Sequence, residues 1–472
     1  MSAAEERLLD RALGAARASG EPQLAIVGRA LAAAEAARDP TDALAAAPQG
    51  HARFFLERPS AGAALVASGA CVEIATEGPQ RLERAGALLR GFAERTHTSE
   101  GAAARWVGGF AFAPEAPHAG SAWHAFGSCR FVLPRAWLAK GALGGEIGAA
   151  LRVAPADELP ALRDALARVR ADAESLLSAR ANPRAASGDE SAASLRLVRP
   201  PRGYRRRVAE ALDTIAKGDA EKLVVARAID CRGAVPPLAE TLRALRDAHP
   251  RCTTFAIAPD AECAFLGATP ELLVRVARGR VEAQALAGSA RRGETEARDS
   301  RARRELLASA KERNEHALVV ESIQRALGPL CDELCAPAAP RALALGDLQH
   351  LETPLCGRLA PGVHAGALEL AARLHPSPAV AGTPREVAVR WLAEHEALER
   401  GWYAGGIGVL DGNGDGELHV ALRCALVSGE SARLFAGAGI VAGSQPAAEQ
   451  RETRLKLRAA LRALREAGRA RG

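Results

Sequence analysis

Two pairs of glutamates are spaced to share helix faces, Glu312 with Glu315 and Glu449 with Glu452, each three residues apart within helical periodicity. Four carboxylates converging from two helices suit a hard cation such as Mg²⁺, which takes a few carboxylates together with water and an anionic substrate. Solvated helix faces carry the same spacing, so the pattern needs support from its neighbours. Lys456 follows Glu452 by four and Glu449 by seven. It reads as an i,i+4 ion pair worth roughly 0.2–0.5 kcal/mol, or as a cation aimed at a substrate carboxylate beside the metal. Arg423 lies among apolar residues in LHVALRCALV; a guanidinium in a half-buried strand grips a carboxylate, from the protein or from a ligand.

Lys222 opens the segment KLVVARAID. A lysine at a strand start ordinarily faces solvent; in a pocket it is an amine that can serve as the base activating water, which arginine cannot do. Only five of the 62 basic residues are lysines, which gives each survivor some weight. Glu271, in FLGATPELL, follows a Thr-Pro turn and reads either as a solvated turn residue or as an acid held protonated for a leaving group. The clusters Ala287-Gly288-Ser289 and Gly437-Ala438-Gly439 can bring backbone N–H groups close to an anion. Neither has P-loop spacing, and Gly405-Gly406-x-Gly408 is not a dinucleotide fingerprint. DGNGDGE (411–417) reads as a hairpin turn rather than a calcium loop.

The elements that must position these groups are clearest after residue 200. Periodicity predicts helices over Tyr204–Lys217, Leu238–Ala248 and Arg301–Leu327 and a last helix from Ala447, with Ala161–Leu177 before them. Strands are expected over Ala64–Ala67, Trp106–Phe112, Lys222–Asp230, Thr253–Ile257, Glu262–Leu266, Leu272–Arg278, Gly405–Leu410, Glu417–Val427 and Ala432–Ala438. Strands come in hairpin-like runs between long helices, so the fold class is α+β with antiparallel sheet. Ser178–Gly203, rich in Pro, Ser and Gly, is the linker candidate, dividing an N-terminal subdomain (1–190) from a C-terminal region (200–472).

The 472 residues are 48% hydrophobic and 25% charged, which excludes a mainly disordered or coiled-coil chain. A net charge of +6 spread over this length, with 4% aromatics, argues against nucleic acid as partner. No apolar run reaches membrane-spanning length, and the start MSAAEERLLD is not signal-like, so the cytoplasm is the expected location. Nine cysteines without a CxxC read as reduced, mostly buried thiols.

Nine segments in order, EKLVVAR (221–227), FLGATPELL (265–273), ALAGSARRG (285–293), KERNEHALV (311–319), LQHLETP (348–354), LHPSPAVAG (374–382), GWYAGGIG (401–408), ELHVALRCA (417–425) and LFAGAGIVAGSQPAAEQRETRLKL (434–457), resemble the chorismate-utilising enzymes, among them isochorismate, salicylate, anthranilate and aminodeoxychorismate synthases. The resemblance covers roughly residues 200–460 and implies two antiparallel sheets with helices outside. It implies Mg²⁺ held by Glu315 and Glu452 with Glu312 and Glu449 behind them, and Lys222 as the base activating water for attack at C2. It makes Glu271 the acid for the departing C4 hydroxyl. Arg423, Tyr403 and Lys456 match residues that hold substrate carboxylates. His350, Thr353 and Ser289 fall at pocket positions. Lys222 points away from the ammonia-using branches and their glutaminase subunit. Ala379, where salicylate synthases tend to carry Thr, favours stopping at isochorismate. A monomer is expected, with menaquinone biosynthesis preferred over a siderophore or salicylate route.

Overall fold

The computed structural model describes residues 1–48, 50–178, 195–198 and 203–469. The linker candidate lies mostly outside the described residues. Among the described residues, two large sheets, of thirteen and ten strands, share one apolar core built by Phe255 and Phe265 from the first and Val274, Val281 and Ile407 from the second. Ladders are antiparallel except where Gln23–Ala30 pairs with Thr96–Thr98. Helices cover the outside: Leu8, Leu9, Leu162, Leu166 and Leu242 pack a second apolar cluster against the thirteen-stranded sheet. The class is α+β, as expected. Among the described residues no helix is long and apolar enough to cross a membrane.

Both sheets draw strands from both sides of residue 200. Arg53–Arg58 pairs with Thr253–Ala258 in one, and Trp106–Phe110 with Gly406–Leu410 in the other. Gly108 and Gly408 face each other in the second pair, and a Cβ on either would strike the backbone on its other flank, Arg130–Phe131 for Gly108 and Glu417–Leu418 for Gly408.

Most predicted elements stand within a few residues, and Asp411–Asp415 forms the expected hairpin turn. Three differences bear on the site. The helix expected over Arg301–Leu327 is two, Glu296–Ala308 and Ala310–Leu327, parted at Ser309, whose hydroxyl accepts from the Glu312 amide at 3.3 Å and so caps the second. The strand expected over Glu417–Val427 is also two, Gly416–Val420 in the ten-stranded sheet and Cys424–Ser428 in the thirteen-stranded one. Arg423, at their junction, adopts φ +49°. The paired strands Arg280–Arg291 and Leu348–Leu359 were not expected, because Ala, Leu, Gln and Glu dominate them and β-branched residues are few. The cysteines carry no disulfide, but only Cys129, Cys231, Cys252 and Cys424 are buried, so most thiols are not.

Candidate active site

Two of the passages between the sheets each deliver a functional side chain to the same cavity. Thr269-Pro270-Glu271 leaves Cys263–Thr269 for Leu272–Ala277 in the other sheet, and Ala421–Arg423 makes the reverse passage. The Val420 amide donates to the Glu271 carbonyl at 3.1 Å, tying the two crossings together. Glu271 is 4% exposed, which overturns the solvated-turn reading. Burial pushes its carboxyl up to about 8, with Lys222 and Lys456 pulling back less strongly. At neutral pH it carries a proton.

Lys222 is 1% exposed, so the solvent-facing reading also fails. Its strand, Lys222–Arg232, pairs with Ser431–Val441, Val224 opposite Gly439 and Ala226 opposite Gly437. Directly opposed residues share a face, so both glycines open the sheet surface next to the lysine. Lys222 Nζ lies 2.9 Å from Glu315 Oε1. It stands one layer behind the cavity wall, which Glu315 itself lines. A Cβ on Gly439 would collide with Glu315 Oε1 and come within 3.0 Å of Lys222 Cε. Gly439→Ala should therefore break this pair and cut turnover while leaving circular dichroism unchanged; full activity would show that the glycine is dispensable.

The four glutamates line this cavity, with Lys311 and Lys456 among them. Ser309 starts the helix so that Lys311, Glu312 and Glu315 fall in its first two turns, where the positive end of the dipole favours carboxylates. Glu452 pairs with Lys456 at 2.8 Å, Glu449 with Lys311 at 3.2 Å, and the Ser289 amide donates to Glu312 at 2.9 Å. Burial and then the neighbouring Glu315 raise Glu312; burial and then Glu452 raise Glu449. The acids thus crowd one another in a partly dry place, and lysines neutralise them. Among the described residues no three acidic, imidazole or thiol groups are drawn around one point.

Arg423 and Lys456 bring positive charge to the same cavity. Arg423 Nη2 donates to His350 Nε2 at 2.9 Å, and His350 Nδ1 is 2.9 Å from Ser289 Oγ. Burial, then Arg423 and Lys456, lower the imidazole well below its ordinary range, so it is neutral. With Nε2 accepting, the network assigns the proton to Nδ1, which donates to Ser289 and leaves the serine hydroxyl for a ligand. A bulge at Gly288, φ +77°, turns Ser289 toward the cavity. Among the described residues no carboxylate ion-pairs Arg423, so the reading of it as one half of a structural salt bridge fails. Lys456 also donates to the Gly437 carbonyl at 2.9 Å.

Tyr403 stacks on Phe435 at 5.2 Å and holds its hydroxyl 3.0 Å from the place a Cβ on Gly437 would take. Ala379 and Val380 complete an apolar side wall. Thr353, like Lys222, does not line the cavity: its hydroxyl is taken by His316 Nε2 at 2.7 Å, beneath the cavity wall. The sequence reading missed Glu396 and Arg400. They form a fully buried i,i+4 pair at 2.5 Å, and Arg400 also donates to the carbonyls of Val224 and Val380, two cavity-lining residues. Their four-residue spacing was the available signal. A separate, largely apolar void near Phe54, Phe126 and Trp402 carries no carboxylate.

A protonated acid and a guanidinium, Arg423, without an ion-pair partner at one cavity with an apolar side wall suit an enzyme acting on a small carboxylate compound. Comparison with known proteins places it more narrowly. The family model described as chorismate binding enzyme matches residues 11–465, and the chain belongs to that family. The salicylate biosynthesis isochorismate synthase of Pseudomonas aeruginosa is 37% identical over 408 residues, 85% of this chain and 83% of that protein. Isochorismate synthase EntC of Escherichia coli is 38% identical over 255 residues, 54% of this chain and 65% of that protein. Among solved structures, the menaquinone-specific isochorismate synthase MenF of Escherichia coli superposes with a TM-score of 0.75 at 28% identity, covering 97% of this chain and 99% of that one.

Proposed function

We propose that this protein is an isochorismate synthase that moves a hydroxyl from C4 to C2 of chorismate using water and Mg²⁺. The observation that supports the reading best is the placing of opposites at one cavity: Glu271, uncharged at neutral pH, lines the same space as Glu315, and Lys222 stands directly behind Glu315 at 2.9 Å. Proton donor and proton acceptor are thereby kept apart before substrate arrives.

Arg423 and Lys456, with Ser289 and Tyr403, hold the two carboxylates and fix the ring against Ala379, Val380 and Leu422. Lys222 takes a proton from water as the oxygen bonds to C2. The diene electrons shift, and the C4–O bond breaks as Glu271 delivers its proton to the leaving hydroxyl, which departs as water. For Lys222 to act, its pair with Glu315 must open and its ammonium must first release a proton to solvent, leaving the neutral amine that accepts from the attacking water. Glu315, Glu452, Glu312 and Glu449 line one cavity and crowd one another, the donor chemistry a divalent cation takes, and drawn together they would hold it. Bound there, Mg²⁺ would neutralise the ring carboxylate and draw electrons from the conjugated ring.

Glu315→Gln should abolish most Mg²⁺-dependent turnover and weaken Mg²⁺ binding in calorimetry by roughly 10-fold or more; unchanged binding would refute the metal assignment. We further propose that the protein works in the cytoplasm as a monomer without a glutaminase subunit and supplies menaquinone biosynthesis. The Pseudomonas relative's role favours salicylate biosynthesis as the second reading. Restored growth of a menaquinone-deficient strain that lacks isochorismate synthase would support the first, and failure despite expression would remove it.

A further inference from the structure

Behind the catalytic cavity lies a wider one, about 1020 Å³ against about 100 Å³. It is bounded by the helix Leu238–Ala248, the turn at Gly346-Asp347 and the flank of the C-terminal helix Pro446–Arg469. Arg423 and Lys456 line both cavities. Neither side chain is fully buried, so the cations that close the inner space form the floor of the outer one.

The outer wall is built for an anion. Arg458, Arg462 and Arg465 follow Lys456 along one helix, and Arg243 faces them from the other. Arg243 is bound to Asp42 and Arg462 to Glu466. Among the described residues, Arg458 has no ion-pair partner. Against these stand Glu240, Asp247, Asp347 and Glu466, so cations outnumber carboxylates six to four. His249, 8% exposed, lines the space with both ring nitrogens unpartnered. Such a group costs free energy in a sealed interior, and its place is explained by a polar visitor. A mouth with low-dielectric walls and one prevailing sign of charge concentrates ions of the other sign.

We propose that this outer cavity is the entrance for the anionic substrate: Arg458 and Arg462 gather the dicarboxylate, His249 offers an N–H along the way, and Arg423 with Lys456 receives it. The inference rests on the chorismate reading of the inner cavity. It does not follow from catalysis alone, since none of Arg458, Arg462 and His249 touches the inner space.

The test is steady-state kinetics with chorismate and Mg²⁺ over a series of salt concentrations, for the unaltered protein, the double variant Arg458→Glu/Arg462→Glu, and Asp347→Asn. All three substituted side chains are exposed, so the fold should survive. The double variant should raise KM by roughly 10-fold with kcat within about twofold, and flatten the fall of kcat/KM with salt, because the charges act on approach and not on the reaction. Asp347→Asn should shift KM the opposite way. KM values and salt slopes equal to those of the unaltered protein in both variants would overturn the entrance while leaving the catalytic reading intact. No turnover of chorismate by the unaltered protein would overturn the catalytic reading and the entrance with it.

Discussion

Glu271→Gln should lower kcat by roughly 10²- to 10⁴-fold, the range expected for losing one general acid, with little change in KM. Glutamine keeps the shape and cannot release a proton to the departing hydroxyl. The parent's kcat should fall as pH rises through about 8, where the buried carboxyl ionises. Stability carries the same signature. In the unfolded chain the group titrates near 4.5, whereas the fold keeps its proton until about 8. The stabilisation is therefore full below 4.5 and lost as pH rises through about 8. Melting curves at pH 6 and pH 9 should show a smaller alkaline loss for the glutamine variant than for the parent. An equal loss in both, with kcat unaffected, would remove Glu271 from the acid role.

Lys222→Arg should abolish turnover to a similar degree, for a different reason. Arginine preserves a positive charge opposite Glu315 and holds its proton at any working pH. Extra bulk at a site only 1% exposed also carries an overpacking cost of roughly 1–3 kcal/mol. A lower melting temperature alone would thus be ambiguous, and Lys222→Met, of nearly equal volume, separates the effects. Loss of kcat in both, with near-native melting in at least one, supports the base. Substantial activity in either would eliminate it.

How much of this was legible in the sequence depended on what kind of fact was needed. Chemical type and spacing were enough for the glutamate pairs, because three residues along a helix fix a shared face whatever surrounds it. They were not enough for Lys222 or Glu271, where solvated and buried readings fit the same letters. Burial arises from contacts distant in sequence: the fold closes over Lys222 with Gly439 and Glu315. Arg423 read as mid-strand because its neighbours are apolar on both sides, and nothing local reveals that the chain changes sheets there. Thr353 shows the converse error. Its place in LQHLETP matched a pocket position, but alternation along the strand and the bond from His316 put its hydroxyl under the cavity floor. Arg400 was invisible because a buried ion pair and a solvated one share the same spacing.

The buried Glu396–Arg400 pair illustrates how the site depends on residues that touch no substrate. Arg400 joins the backbone at Val224 to that at Val380, two neighbouring stretches of the cavity wall. Removing one member of such a pair strands a buried charge at a cost of roughly 3–5 kcal/mol.

The measurement closest to the central claim is the identity of the product made from chorismate and Mg²⁺ in ¹⁸O-labelled water, separated by chromatography and weighed by mass spectrometry. Water attack at C2 with loss of the C4 hydroxyl predicts isochorismate carrying one ¹⁸O, with little pyruvate. Salicylate and pyruvate as main products, or isochorismate without the label, would contradict it.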